Sequence, residues 1–233
     1  MDSPDRMDIV RTAWNPSTFL GGLGTAARQM LARSGGPRRY PPGASVLTEG
    51  DTTTHVVIIL SGWVKVTATG ENGRQALLAI RRAGDIIGEL AAMNSAPRIA
   101  NVIAGCDLRT LEIDRGSFTE IQASSPDVAQ AVGRTLAQRM QTATRRRVEL
   151  SSYPVRIRLI RLLRDLTHAP GPPGAPAVPV PLSQAELAAA VGAAETSVHK
   201  VLRELRARGI VRTGYGRLTV LRPDALQELA GPA

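Results

Sequence analysis

The stretch Leu182–Val211, LSQAELAAAVGAAETSVHKVLRELRARGIV, decides the reading of the whole chain. It opens with a capping box: Ser183 and Glu186 stand three residues apart, and their side chains can satisfy amide donors that a helix leaves unpaired in its first turn. A helix is predicted from here to Val191-Gly192 and, after the short Ala193-Ala194 connection, a second one from Glu195 to about Arg208. On the second helix Val198, Val201, Leu202 and Leu205 fall at i, i+3, i+4 and i+7 and form one buried stripe. At about 100° per residue, Glu195, Thr196, His199, Lys200 and Arg203 occupy a different face. A helix held by an apolar stripe while it presents polar and basic groups elsewhere suits insertion into a DNA major groove. Gly209-Ile210-Val211-Arg212 and Arg217-Leu218-Thr219-Val220 flank the turn Thr213-Gly214-Tyr215-Gly216, which predicts a β-hairpin wing.

Working outward, residues 169–181 (APGPPGAPAVPVP) carry six prolines in thirteen residues, which neither a helix nor a central strand tolerates, so a semi-rigid loop is expected. Val155 to about Thr167 reads as a helix, with apolar residues at 155, 159, 162, 163 and 166 and arginines at 156, 158, 161 and 164. Ser125-Pro126-Asp127 opens a stretch without proline until Pro154, which predicts one long helix over 126–153. Its stripe Val128, Val132, Leu136 and Met140, with Ala143 nearby, needs a partner surface, and we expect a second copy of the chain there; packing on its own barrel is the alternative. The run Arg145, Arg146, Arg147 suits either a solvated face or a place near DNA phosphates.

Between Val46 and Ile113, short apolar or alternating runs such as HVVIIL, GWVKVTAT and QALLAI are separated by turn signals at EGD, SG, GENG and AGD. Four or more such runs in this span predict an antiparallel roll or barrel, with Trp63 in its core or wall. Ahead of it, residues 17–33 read as one or two short helices, 37–43 (PRRYPPG) as a break, and 1–16 as a polar segment. The domains expected are 17–125 for the roll, 126–153 for the long helix and 154–225 for the winged unit, with 226–233 a tail.

Charge divides unevenly along the 233 residues: 1–125 hold 13 Lys+Arg against 12 Asp+Glu, whereas 126–233 hold 16 against 8, so +1 stands against +8. Such asymmetry points the second half toward a polyanion. The single cysteine, Cys106, excludes an intramolecular disulfide or a Cys-rich metal site, and His55, His168 and His199 stand in no ligand-like spacing. No apolar run approaches the roughly 18 residues of a membrane span, and the start MDSPDRMD lacks a basic n-region. A cytoplasmic protein without membrane contact is the expectation.

The stretch Leu182–Val211 resembles the winged helix-turn-helix of the cyclic-AMP receptor protein (Crp/Fnr) family of bacterial transcription regulators. Residues 84–104, GDIIGELAAMNSAPRIANVIA, resemble that family's phosphate-binding cassette, and the likeness runs from about residue 17 to residue 222 with the same order of parts. The resemblance implies that a short helix begins at Gly88, Glu89 and Leu90, that Glu89 accepts from a ribose hydroxyl, and that Arg98 neutralises a cyclic phosphate. It also places Ile99 where the family carries a small residue that can donate to the phosphate, and Ala143 and Thr144 where the cyclic-AMP receptor has an adenine-contacting Thr-Ser pair. An internal Glu89–Arg98 ion pair in a barrel that binds no nucleotide is the alternative. On the reading helix, Ala194-Glu195-Thr196-Ser197-Val198 replaces the family's Ser-Arg-Glu-Thr-Val run. Ala194 forgoes a side-chain cap at a cost of about 1 kcal/mol, Ser197 keeps a phosphate-contacting hydroxyl, and Lys200 keeps a basic group.

These readings predict an α+β protein with an N-terminal antiparallel β-roll of the cyclic-nucleotide-binding, jelly-roll kind, a long dimerisation helix and a C-terminal winged helix-turn-helix. Its partners would be double-stranded DNA, a second copy of itself and RNA polymerase. No covalent cofactor is expected, and the effector would be a cyclic nucleotide such as cyclic AMP or cyclic GMP. Effector-independent DNA binding, a different small ligand, and a nucleotide-binding module acting on a protein partner remain alternatives. A cupin-type barrel enzyme would need clustered metal ligands that the scattered histidines do not supply, so no enzyme is expected.

Overall fold

The run Val56–Leu60 contains no polar residue, and a strand of that composition must be covered on both faces. In the computed structural model, which describes residues 4–70, 73, 75–167, 178–180, 182–214 and 217–231, it is. Strand β3 (Val56–Ser61) lies in the sheet β1-β8-β3-β6, with β1 Gly36–Tyr40, β8 Leu108–Ile113 and β6 Ile86–Ile87. Val57 and Ile59 point into the core shared with the second sheet, β2-β7-β4-β5, made of β2 Ser45–Leu47, β7 Asn101–Ala104, β4 Trp63–Thr69 and β5 Gln75–Arg82. Val56, Ile58 and Leu60 point the other way, into a layer of helices. The period of two in a strand therefore splits one apolar run between two cores.

That helical layer comprises α1 (Pro4–Arg11), α2 (Thr25–Ser34), α4 (Arg115–Ser124) and the start of the long helix α5 (Pro126–Ser152). The short helix α3 (Glu89–Asn94) follows β6. Asp114 caps α4 by accepting from the Ser117 amide. Residues 1–74 and 78–140 form one compact unit, and 141–233 with 75–77 a second. In the second unit α6 (Val155–Thr167), α7 (Gln184–Ala190), α8 (Glu195–Ala207) and α9 (Pro223–Ala230) surround the sheet β10-β11-β9, with β9 Val178–Val180, β10 Val211–Gly214 and β11 Arg217–Val220. Its core joins Leu159, Ile160 and Leu163 of α6 to Leu187, Val198, Leu202, Leu205 and Leu226.

Several expectations need correction. Residues 1–16 are not merely polar: α1 buries Ile9 completely, and the Trp14 indole donates to the Ile9 carbonyl at 2.8 Å. The helix expected over 17–33 begins only at Thr25, after turns. PRRYPPG does not interrupt the sheet, because β1 pairs antiparallel with β8 from Gly36 opposite Glu112 to Tyr40 opposite Leu108, and Pro37 is tolerated on an edge strand. The Pro-rich segment yields the edge strand β9, which pairs with β11; 169–177 and Pro181 lie outside the described residues. The expected tail is largely α9, whose Leu226 and Ala230 are buried. Trp63 is half-buried and lies against Gly105, where any Cβ would meet the ring.

The dimer stripe is the largest correction. Val128 and Val132 are buried in the first unit's own core with Ala131, and Leu136 packs against the same cluster. Met140 is 74% exposed, and Ala143, three residues on, is exposed too. The stripe is real, yet three of its four residues serve the chain's own barrel.

Candidate functional site

The cassette begins where Gly88 adopts φ +81°, a conformation that suits glycine, and opens α3. A Cβ there would also come within 2.6 Å of Arg98 Nη1, so the site needs glycine twice over. Glu89 is only 3% exposed, and its Oε1 accepts from Arg139 Nη1 of α5, while Arg139 Nη2 donates to the Ile86 carbonyl. Glu89 Oε2 takes no hydrogen bond among the described residues and is free to accept from a ligand hydroxyl. Arg98, 4% exposed, donates to the Gly88 carbonyl at 2.8 Å, the His55 carbonyl at 2.7 Å and Thr53 Oγ1 at 3.2 Å. Burial pulls its pKa down against the attraction of Asp51 and Glu89, and the same burial, with Arg98 alongside, lowers that of His55.

The two cassette side chains therefore do not pair with each other, which overturns the ion pair weighed above. Glu89 takes Arg139, a residue that sequence reasoning passed over although it stands four residues before Ala143 on the same helix. Leu90 and Ile99 are exposed, Ile99 by 63%, so the apolar residue in the family's donor position faces outward. Thr144 is exposed on α5.

In the second unit the capping box forms as read: the Glu186 amide donates to Ser183 Oγ at 3.2 Å, and the Ser183 amide donates to Glu186 Oε2 at 2.8 Å. Gly192 turns the chain with φ +58°, and Ala194 begins α8 without a side-chain cap. Val198, Val201, Leu202 and Leu205 are all buried, which fixes the roll of α8 about its axis. Glu195, Thr196, His199, Lys200 and Arg203 are consequently exposed, and Ser197 is half-buried at their edge. Glu204 would repel phosphates, but Arg156 of α6 holds it in a fork, with Nη2 2.9 Å from Oε1, and lowers its pKa through that hydrogen bond. After α8, β10 and β11 form the wing from Val211 opposite Val220 to Gly214 opposite Arg217, so Thr213 and Gly214, expected in the turn, are paired strand, and Gly209 and Ile210, expected in the strand, precede it; Tyr215 and Gly216 lie outside the described residues.

Residues 37–125 match the cyclic nucleotide-binding domain family, and 157–229 match the Crp-like helix-turn-helix domain family. The CRP-like cAMP-activated global transcriptional regulator of Mycobacterium tuberculosis is 30% identical over 193 residues, 82% of this chain and 86% of that protein. The chain belongs to the CRP-like family of transcriptional regulators. A CRP/FNR-family transcriptional regulator from Thermus thermophilus superposes with a TM-score of 0.69 at 27% identity, covering 84% of this chain and 99% of its own. The c-di-GMP responsive regulator CLP of Xanthomonas campestris shares the fold, with a TM-score of 0.71 at 23% identity over 85% of this chain and 99% of its own.

As a CRP-like regulator, the protein joins a cyclic nucleotide-binding domain to a DNA-binding helix-turn-helix, in the order expected from the sequence. Among the described residues no helix is long and apolar enough to cross a membrane.

Proposed function

We propose that this CRP-like regulator acts as a homodimer that sets two copies of α8 into successive major grooves, and that a cyclic nucleotide held at Glu89 and Arg98 biases their placement. The observation that carries the DNA reading is the α8 face: Thr196, His199 and Lys200 stand free on a helix whose opposite stripe is fully buried. On this reading Glu195, Thr196, His199 and Lys200 contact bases, Ser197 and Arg203 contact phosphates, RNA polymerase is the next partner on the DNA, and the cytoplasm is the place of action. The protein regulates and does not catalyse.

Support for the effector comes from the Gly88 turn, the unpaired Oε2 of Glu89 and the buried guanidinium of Arg98. Arg98 has three of its donor directions spent on Gly88, His55 and Thr53, and Ile99 adds no donor, so binding is expected to be weaker than the family's pattern would permit. Isothermal titration with cyclic AMP, cyclic GMP and cyclic di-GMP tests this. One of them should bind wild type, fail with Arg98→Ala and bind more tightly to Ile99→Ser. Silence with all three, alongside intact operator binding in a gel shift, would overturn the cyclic-nucleotide reading and leave a different small ligand or effector-independent DNA binding.

A further inference from the structure

Within the second unit, one arginine ties three helices together. Arg161 of α6 donates from Nη1 to Glu149 Oε1 of α5 at 3.1 Å and from Nε to the Ala230 carbonyl at the end of α9 at 3.2 Å. Its guanidinium also lies 4.3 Å from the centre of the Tyr153 ring, beside the elbow between α5 and α6. Both partners of the Glu149–Arg161 pair are 11% exposed at the side chain. A second rung lies one turn away on each helix: Arg145 of α5 donates to Asp165 of α6, and Arg164 donates to the same carboxylate. Four residues back along α5 from 149 is 145, and four forward along α6 from 161 is 165, so the rungs form a ladder between antiparallel elements.

Arg158 of α6 adds a further tie to α5, donating from Nη1 to the Leu150 carbonyl at 3.1 Å. Over residues 141–152 the one buried residue is Glu149, a carboxylate. Half-buried Arg146 is drawn to the same Asp165 and Glu149. A buried carboxylate that loses its partner is strongly disfavoured, so any setting of the elbow that separates Glu149 from Arg161 is penalised.

We propose that the Glu149–Arg161 pair, backed by Arg145–Asp165, is a latch that fixes the angle at which the reading unit leaves the last turns of α5, and that Arg161 is therefore a positioning residue for DNA binding. This rests on the dimeric reading above. In a dimer the latch would be read out as half-site spacing, because one added base pair moves the far half-site by about 3.4 Å and rotates it by about 34°.

The test measures binding by fluorescence anisotropy, at one salt concentration, to the preferred symmetric operator and to versions with one base pair added or removed between half-sites. Wild type should lose affinity on the order of tenfold on either altered operator, within the range of a typical coupling between sites. Arg161→Gln and Glu149→Gln should shrink that loss to about twofold, whereas Arg161→Lys, which keeps the charge beside Glu149, should restore most of it. Simple destabilisation would lower affinity for all three operators alike and leave their ratio unchanged. Should Arg161→Gln fail to fold, as judged by circular dichroism, the more exposed rung variant Arg145→Gln carries the test. Folded variants that discriminate spacing as wild type does overturn the latch alone. A wild type indifferent to spacing overturns both the latch and the dimeric reading.

Discussion

Glu195 is exposed in the first turn of α8, at a position where an anion is an unusual choice for a surface that meets phosphates. Its carboxylate can accept from a cytosine amino group but offers no donor to guanine; alternatively it partners the helix dipole, worth roughly 0.3–1 kcal/mol. Replacing Glu195 with Arg should shift the preferred base at one symmetric pair of operator positions, moving about 1–3 kcal/mol of discrimination. Selection of sites from random DNA with both proteins checks this, and an identical recovered motif leaves Glu195 with the dipole role. The cassette residues behave differently at this scale. Gly88, Glu89 and Arg98 were identifiable from the resemblance to the family's cassette, but the partners of the two charged residues were not, because a buried charge pairs with whichever opposite group the fold brings within reach.

At the scale of the element, α5 shows how one helix divides its faces. Val128, Ala131 and Val132 go into the first unit's core, while Gly133, Ala137, Met140, Thr144 and Arg147 recur at steps of four and three on a different face, and all five are exposed. Small residues around one methionine allow two helices to approach closely, so on the proposed dimeric reading this face would be the contact. Met140→Glu should yield folded monomers by light scattering. Val132→Glu, which forces a charge into the core, should cost on the order of 3 kcal/mol or more and lower the melting temperature without first splitting the dimer. A Met140→Glu protein that stays dimeric places the contact elsewhere. The sequence pattern of α5 merged the two faces because Leu136 and Met140 are four apart, and periodicity alone does not say which surface covers which turn.

Across the whole molecule, the charge imbalance between the halves is matched by the placement of function. The C-terminal half, at +8, carries the helix-turn-helix, and Lys200, Arg203, Arg206 and Arg208 all stand exposed on or just beyond α8. Binding to DNA should therefore weaken steeply with salt, because each neutralised phosphate contributes about 0.9 to the slope of log K against log salt. If Arg203 contacts a phosphate, Arg203→Ala should reduce that slope by about 1 while the preferred operator sequence stays the same. A changed motif with an unchanged slope would move Arg203 to the base-reading group.

The sequence by itself determined what depends on neighbours along the chain. The Ser183–Glu186 capping box, the stripe Val198 to Leu205 and the break between the two helices at Gly192 all follow from local spacing, and each formed as that spacing requires. Only the tertiary structure decided what depends on residues distant in sequence. Pro37–Tyr40 became strand because β8 offered it a free edge, and Ile9 became core because it found an apolar layer to complete. Glu89 took Arg139 in place of Arg98, and Glu149 took Arg161, for one physical reason. Hydrogen bonding and hydrophobic burial within a turn act over a few residues, whereas desolvated charge and an unfilled sheet edge are satisfied by whatever the folded chain brings alongside.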